Sequence, residues 1–326
     1  MIPNDLVGHF ALRLPADPRE RDRILGARCG CGSSLPGKYI CSECAAIFCR
    51  RCAKVVGARE APICKPCDAL CLLLAEVATQ AAILEDQHRR FGFADLSLAL
   101  RYPLRSAITC IGLGAILGAT LFSIPFFNIE YVGILLGSIG LLPAFVGVSL
   151  MFGCALAIVS HVRVGKTAGG EVFDVLPLLV EIGETVKLGA AMIVALGWPY
   201  LAATLLGVST PAAIALTGVW GLFLYPAVLA VAALTRGFWS VVNPAMLASA
   251  AIRMGGVYGN LLLMCLCVTA PVLAIILLIA SRVLPQGVSL PLYLTFGVFT
   301  GPPLFYADMV TACLVGRALF KSGDRL

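Results

Sequence analysis

The stretch "CSECAAIFCRRC", Cys41 to Cys52, sets four thiols into twelve residues. It is the middle of a longer series: Cys29-x-Cys31, nine residues, Cys41-x2-Cys44, four residues, Cys49-x2-Cys52, eleven residues, Cys64-x2-Cys67. Four close pairs mean metal ions or disulfides. A two-residue spacer lets both thiolates converge on one tetrahedral ion at about 2.3 Å from each sulfur. A disulfide framework needs an oxidising compartment, which the charge distribution described below denies this segment. Residues 28–68 also offer few large apolar side chains (Leu35, Ile40, Ile47, Phe48, Val55, Val56 and Ile63), too small a core to fold unaided. Two zinc ions would supply the missing free energy, each on the order of 10 kcal/mol.

Eight ligands in four pairs can be wired sequentially or crossed. Only four residues separate Cys44 from Cys49, too short a gap for an independent ribbon, so the spacing favours crossing. Cys29, Cys31, Cys49 and Cys52 then hold one ion, and Cys41, Cys44, Cys64 and Cys67 the other. With "APICKPCDAL" following it, "CSECAAIFCRRC" resembles the middle and end of a FYVE-type cross-brace, treble-clef finger, over about forty residues or an eighth of the chain. The resemblance implies a small double-zinc module that binds a lipid headgroup or a protein. Members that read phosphatidylinositol 3-phosphate carry a basic, His-rich run around the third cysteine; here "GKYICSEC" has only Lys38. The family's upstream Trp motif is missing and the first pair is C-x-C. Arg50, Arg51, Lys54 and Arg59 form a candidate basic face for a partner or for anionic lipid, at roughly 1 kcal/mol per charge near such a surface. The ninth thiol, Cys71, reads as a small buried residue and not a ligand.

Outside this segment the chain changes character. Of 326 residues, 60% are hydrophobic and only 13% charged, a membrane protein's composition. Charge is concentrated in the first 105 residues. "MIPNDLVGHFALRL" has no basic run followed by a long apolar core, so no cleavable secretory signal is expected. The expected organisation is an N-terminal tail (1–27), a FYVE-like double-zinc finger (28–68), a linker helix (69–91) and a transmembrane domain (92–326). In the linker Leu70, Leu73, Leu74, Val77, Ala81 and Leu84 recur at helical spacing, predicting one helix of about twenty residues. Its stripe packs within the chain or on a second protomer, making a homodimer one option.

Six apolar stretches are long enough to cross roughly 30 Å of hydrocarbon: 104–122, 136–160, 188–208, 212–234, 260–284 and 290–314. A break at Pro143 would make seven. With six spans and both termini in the cytoplasm, every Lys and Arg except Arg282 falls on the inner side, as the positive-inside tendency requires. The fold class expected is thus a zinc-stabilised finger plus an all-α bundle of six helices, with short interfacial helices. Three stretches fit the interfacial role: "FADLSLALRYPL", "FWSVVNPAMLASAAIRM", and "GEVFDVLPLLVEIGETVK" with its acids Glu171, Asp174, Glu181 and Glu184 on one arc.

An ionisable residue inside hydrocarbon is costly and by default a functional candidate. Asp308 lies nine residues before Arg317, hence about 14 Å along a helix from the inner boundary. It is a candidate transport station or an acid tying spans together, with Tyr306, Thr311 or Tyr225 as partner. Gly114-x3-Gly118, Gly133-x3-Gly137 and Gly297-x3-Gly301 are spacings that let helices approach closely. There is no Gly-rich phosphate loop, H-E-x-x-H, G-x-S-x-G or pair of acids at hydrolase spacing, so no enzyme is expected, and no nucleic-acid partner either. Richness in Ala, Gly, Leu, Val and Arg points to a GC-rich bacterial genome and an inner membrane. The leading expectation is a non-enzymatic integral membrane protein whose cytoplasmic finger recruits a protein or contacts the membrane surface. The alternative is a transporter or channel using Asp308, with the finger as regulator.

Overall fold

The computed structural model describes residues 23–24, 26–29, 31, 36–56, 61–127, 134–165, 182–283 and 290–323, with side chains omitted chiefly at 54–61 and 121–146. It divides into two compact units, Met1–Arg89 and Arg90–Leu326.

The first unit is built on short strands: β1 (Tyr39–Cys41), β2 (Ile47–Phe48), β3 (Lys54–Val56), β4 (Ala61–Ile63) and β5 (Cys71–Leu73). β1 lies between β2 and β5, antiparallel to both, while β3 and β4 form a separate hairpin. Ile40 faces Leu72 across the β1–β5 ladder, and both are fully buried. Helix α1 (Leu74–His88) follows β5 directly and turns Leu74, Val77 and Ala81 inward. Ile40, Leu72, Leu74 and Val77 make one small core, joined at its edge by Ile24, Ile47 and Leu70. This corrects the linker reading. The helix has 15 residues, not about twenty, because residues 71–73 are recruited as a third strand. Three residues of β-ladder outbid one more helical turn where Leu72 can reach the core.

The second unit is helical: α2 (Phe93–Arg101), a 3-10 turn (Pro103–Ser106), α3 (Ala107–Phe127), α4 (Ile134–Val162), α5 (Ile182–Leu205), α6 (Thr210–Thr235), α7 (Phe238–Val242), α8 (Pro244–Met254), α9 (Gly256–Val283) and α10 (Leu290–Ser322). Local signals mark several ends. Asn243 caps α8 by accepting from the Ala245 N–H at 3.0 Å, with Pro244 in the first turn; Arg236 ends α6 in the left-handed region at φ 49°. α2 meets α3 through a bend of 81°, so the amphipathic segment lies across the axis of the apolar one.

Among the described residues four helices are long and apolar enough to cross a membrane, or five if the bent α2–α3 pair counts as one span. The expected six is not reached, because the second stretch is described with side chains only from Gly147 to Val162, an apolar run below crossing length. Both Pro143 and Gly133-x3-Gly137 lie outside the residues whose side chains are described. So does most of the acidic segment at 170–187. Its end departs from the interfacial reading: Glu184 and Lys187, paired at 3.6 Å, sit in the first turns of α5 itself.

Glycine sets the closest approach in this unit. α3 and α10 touch through Gly114 and Gly118 on one side and Gly297 and Gly301 on the other. A Cβ on Gly118 would run into the Gly297 carbonyl oxygen, and one on Gly301 into that of Gly114. The two small-x3-small spacings are thus consumed within the chain, holding the first and last long helices backbone to backbone.

Candidate metal centre

Three of the four cysteine pairs sit in turns of one design. In each, the N–H four residues beyond the first cysteine donates to that cysteine's carbonyl: Ala45 to Cys41 at 3.2 Å, Ala53 to Cys49 at 3.2 Å and Asp68 to Cys64 at 2.9 Å. The Cys41 and Cys64 turns match further. Cys41 N–H donates to Ala46 O at 2.9 Å, Cys64 N–H to Ala69 O at 2.8 Å, and Ala45 and Asp68 both take positive φ, 55° and 54°. Such tight turns point both sulfurs of a C-x2-C pair the same way. The Glu43 N–H also points at the Cys41 sulfur, at 3.4 Å.

Distant turns are brought together by the sheet. The eight sulfurs gather in two groups, Cys29–Cys31–Cys49–Cys52 and Cys41–Cys44–Cys64–Cys67, with the ligand atoms of each group within 4.8 Å of one another. Pair one therefore joins pair three, and pair two joins pair four. Individual sulfur separations are 4.0 Å for Cys31–Cys49, 3.4 Å for Cys41–Cys67, 3.7 Å for Cys44–Cys64 and 3.8 Å for Cys44–Cys67. Four sulfurs on a tetrahedron about 2.3 Å from its centre stand about 3.8 Å apart. The donor set and its spacing fit a tetrahedral thiolate-bound ion in each group. All eight are free thiols, with one partner of each pair buried or half-buried.

Crowding four thiols shapes their protonation. Burial pushes Cys41 and Cys64 up, and hydrogen bonding to Cys31 and Cys49 pushes Cys52 up to about 12. Cys67 goes down because the Ala69 N–H points at its sulfur. For Cys49, burial acts upward but is outweighed by the N–H groups of Arg51 and Cys52. In each group one thiol is pushed down while others are pushed up, so close packing sets the sulfurs against carrying four negative charges together without an ion. An ion that displaces the thiol protons removes the conflict. Cys71 lies outside both groups. It is fully buried behind Cys41, opposite it in the β1–β5 ladder, and burial pushes its thiol up to about 11, the mark of an inert packing residue.

Arg50 and Arg51 are both exposed on the Cys49–Cys52 turn. Lys54 begins β3, with no side chain described, and Arg59 lies outside the described residues.

Two polar sites occupy the helical unit. Asp308, on α10, is 8% exposed and accepts a hydrogen bond from the Tyr225 hydroxyl of α6 at Oδ1. The other suggested partners are engaged elsewhere: Tyr306 donates to Leu100 O at 2.7 Å and Thr311 to Ala307 O at 2.9 Å. The second site was not anticipated from sequence. Asp95 of α2, 1% exposed, accepts at Oδ1 from Arg317 Nε at 2.9 Å and Nη2 at 2.7 Å. At Oδ2 it accepts from Lys321 Nζ and from its own helix's Gly92 N–H, each at 2.9 Å. Arg317, read from sequence as marking the inner boundary of the last span, is 2% exposed. A signal existed: Asp95 shares the i, i+4, i+7 face of buried Ala99 and Tyr102, where an acid demands a partner. No protein-family model matches the chain, and no curated protein or solved structure matches it either.

Proposed function

We propose that the chain is a non-enzymatic integral membrane protein whose N-terminal unit is a FYVE-like, double-zinc cross-brace finger that docks a protein partner in the cytoplasm. The observation that carries this reading is the crossed pair of four-sulfur groups at tetrahedral spacing. Zinc is the metal that suits all-thiolate tetrahedral sites in a reducing compartment. Among the described residues the unit's apolar core is four residues and their neighbours, so the ions are its main source of rigidity, and rigidity is what a docking surface needs. Arg50 and Arg51, exposed side by side, favour an acidic partner segment. The helical unit anchors the finger. Six crossings with both ends inside is the topology the distribution of Lys and Arg supports, and the composition supports a bacterial inner membrane.

The test uses the full chain in nanodiscs. Elemental analysis should find two zinc per chain, and a pull-down should capture an acidic protein segment with wild type but not with Cys41→Ser/Cys44→Ser. Equal binding of wild type to phosphatidylserine discs lacking protein partners would place the finger on lipid instead. Absence of metal, or labelling of the head from the outer face, would overturn the reading.

A further inference from the structure

The helical unit contains a cavity of about 370 Å³ between α3, α4, α5, α6, α9 and α10. Its walls are almost wholly apolar, and Asp308 and Tyr225 are set into them. Tyr225 serves Oδ1 of Asp308; Oδ2 is buried and has no hydrogen-bond partner among the described residues. The other hydroxyls on the wall are spent on their own helices, Thr269 on Cys265 O at 2.8 Å and Thr311 on Ala307 O at 2.9 Å. No Lys, Arg or His lines the cavity among the described residues. One carboxylate oxygen in an apolar chamber is thus left for a donor that the wall does not supply, a costly arrangement unless something else supplies it.

Part of the wall is loosely filled. Gly218 and Gly221 of α6 line it, and a Cβ on either would meet nothing within 4 Å. Leu273 of α9, on the same wall, is exposed. Since α6 and α9 are both long and apolar enough to cross a membrane, a ligand entering between them would come from where acyl chains would lie. A ligand arriving that way must be mostly hydrocarbon.

We propose that this cavity binds a single-chain lipophilic amine, its alkyl body against the apolar wall and its ammonium donating to Asp308 Oδ2. An ammonium is favoured over a hydroxyl because only the ammonium brings a countercharge to the carboxylate, and the apolar cavity has no cation of its own among the described residues. At roughly 30 Å³ per heavy atom, the share of volume a liquid water takes, the space holds about a dozen atoms, and it falls in the about 300–1,000 Å³ range of ligand pockets. The site is independent of the finger.

The probe is radiolabelled dodecylamine, measured on the full chain in nanodiscs, with partition into empty discs subtracted. Saturable binding at one site per chain is expected, with Asp308→Asn weakening it about tenfold or more, the loss of one charge-assisted hydrogen bond. Gly221→Leu, on the cavity wall where a Cβ meets nothing within 4 Å, should abolish it. Dodecanoic acid should not compete, and dodecanol should compete weakly. Amine binding that survives Gly221→Leu, or is unchanged in Asp308→Asn, overturns the proposal, as does dodecanol competing as well as the amine. Should Asp308→Asn fail to fold, the Gly221→Leu and competitor results decide alone.

Discussion

Replacing Asp95 with Ala should be among the most damaging single changes in the helical unit. Its carboxylate takes donors from Arg317 Nε and Nη2, Lys321 Nζ and Gly92 N, all at 2.7–2.9 Å, and the Arg317 and Lys321 side chains are each only 3% exposed. Truncation takes the Asp95 carboxylate away from the Arg317 guanidinium, and breaking a buried pair by removing one partner costs about 3–5 kcal/mol. Lys321 suffers less, because its Nζ also lies 3.4 Å from Arg90 O and its long stem can carry the ammonium to water. Loss of the Gly92 contact adds to the cost, about 1 kcal/mol for a helix cap. A net loss of about 4 kcal/mol is the expectation. The double change Asp95→Leu/Arg317→Met, which removes both charges at once, should recover most of it, because well-packed apolar residues replace buried ion pairs at little or no loss. Unfolding of the purified chain in mixed micelles, titrated with denaturing detergent and followed by far-ultraviolet circular dichroism, measures both. A cost below about 1 kcal/mol for Asp95→Ala, the range of a solvent-exposed pair, would refute the buried network. So would a double variant no better than the single.

Cys44→Ser should lower zinc from two to one per chain by elemental analysis, whereas Cys71→Ala, outside both sulfur groups, should leave two. Gly118→Val forces a side chain into the α10 backbone and should cost about 3 kcal/mol, the upper end of overpacking, in the same detergent titration. Gly112→Val in the same helix, where a Cβ meets nothing within 4 Å, should change stability by less than about 0.5 kcal/mol. Ala45→Gly relieves a left-handed residue at φ 55° beside the second cysteine pair and should raise the melting temperature of the head, through a gain of about 0.5–1 kcal/mol, as read by hydrogen exchange of the β1 amides.

What the sequence made legible follows the range of the physics. A C-x2-C turn is closed within five residues, as the Cys41-to-Ala45 and Cys64-to-Asp68 hydrogen bonds show, so its spacing is visible in the chain itself. The crossed grouping was readable for a related reason: four residues between Cys44 and Cys49 leave β1 and β2 only enough chain to double back, carrying neighbouring pairs to opposite ends. The fate of residues 71–73 was hidden because Leu72 fits either a helical stripe or a strand opposite Ile40. Only the position of β1, thirty residues earlier, chooses between them.

Charge misled for a different reason. Counting Lys and Arg treats each as a solvated marker of the inner side, a statistical rule about where a charge avoids going. Arg317, 2% exposed, does not meet that premise. α10 runs 33 residues, about 50 Å at 1.5 Å per residue, well beyond the roughly 30 Å of a hydrocarbon core. Its length exceeds what a crossing needs, and near its C-terminal end α2 covers Arg317 and Lys321, with Asp95 supplying the countercharge to Arg317 from 222 residues away. A charge count has no term for such a partner. Hydrophobic periodicity does: an acid on the buried face of α2 requires a cation opposite it, and the chain's last helix, overlong and ending in "GRALFK", was the element that could offer one.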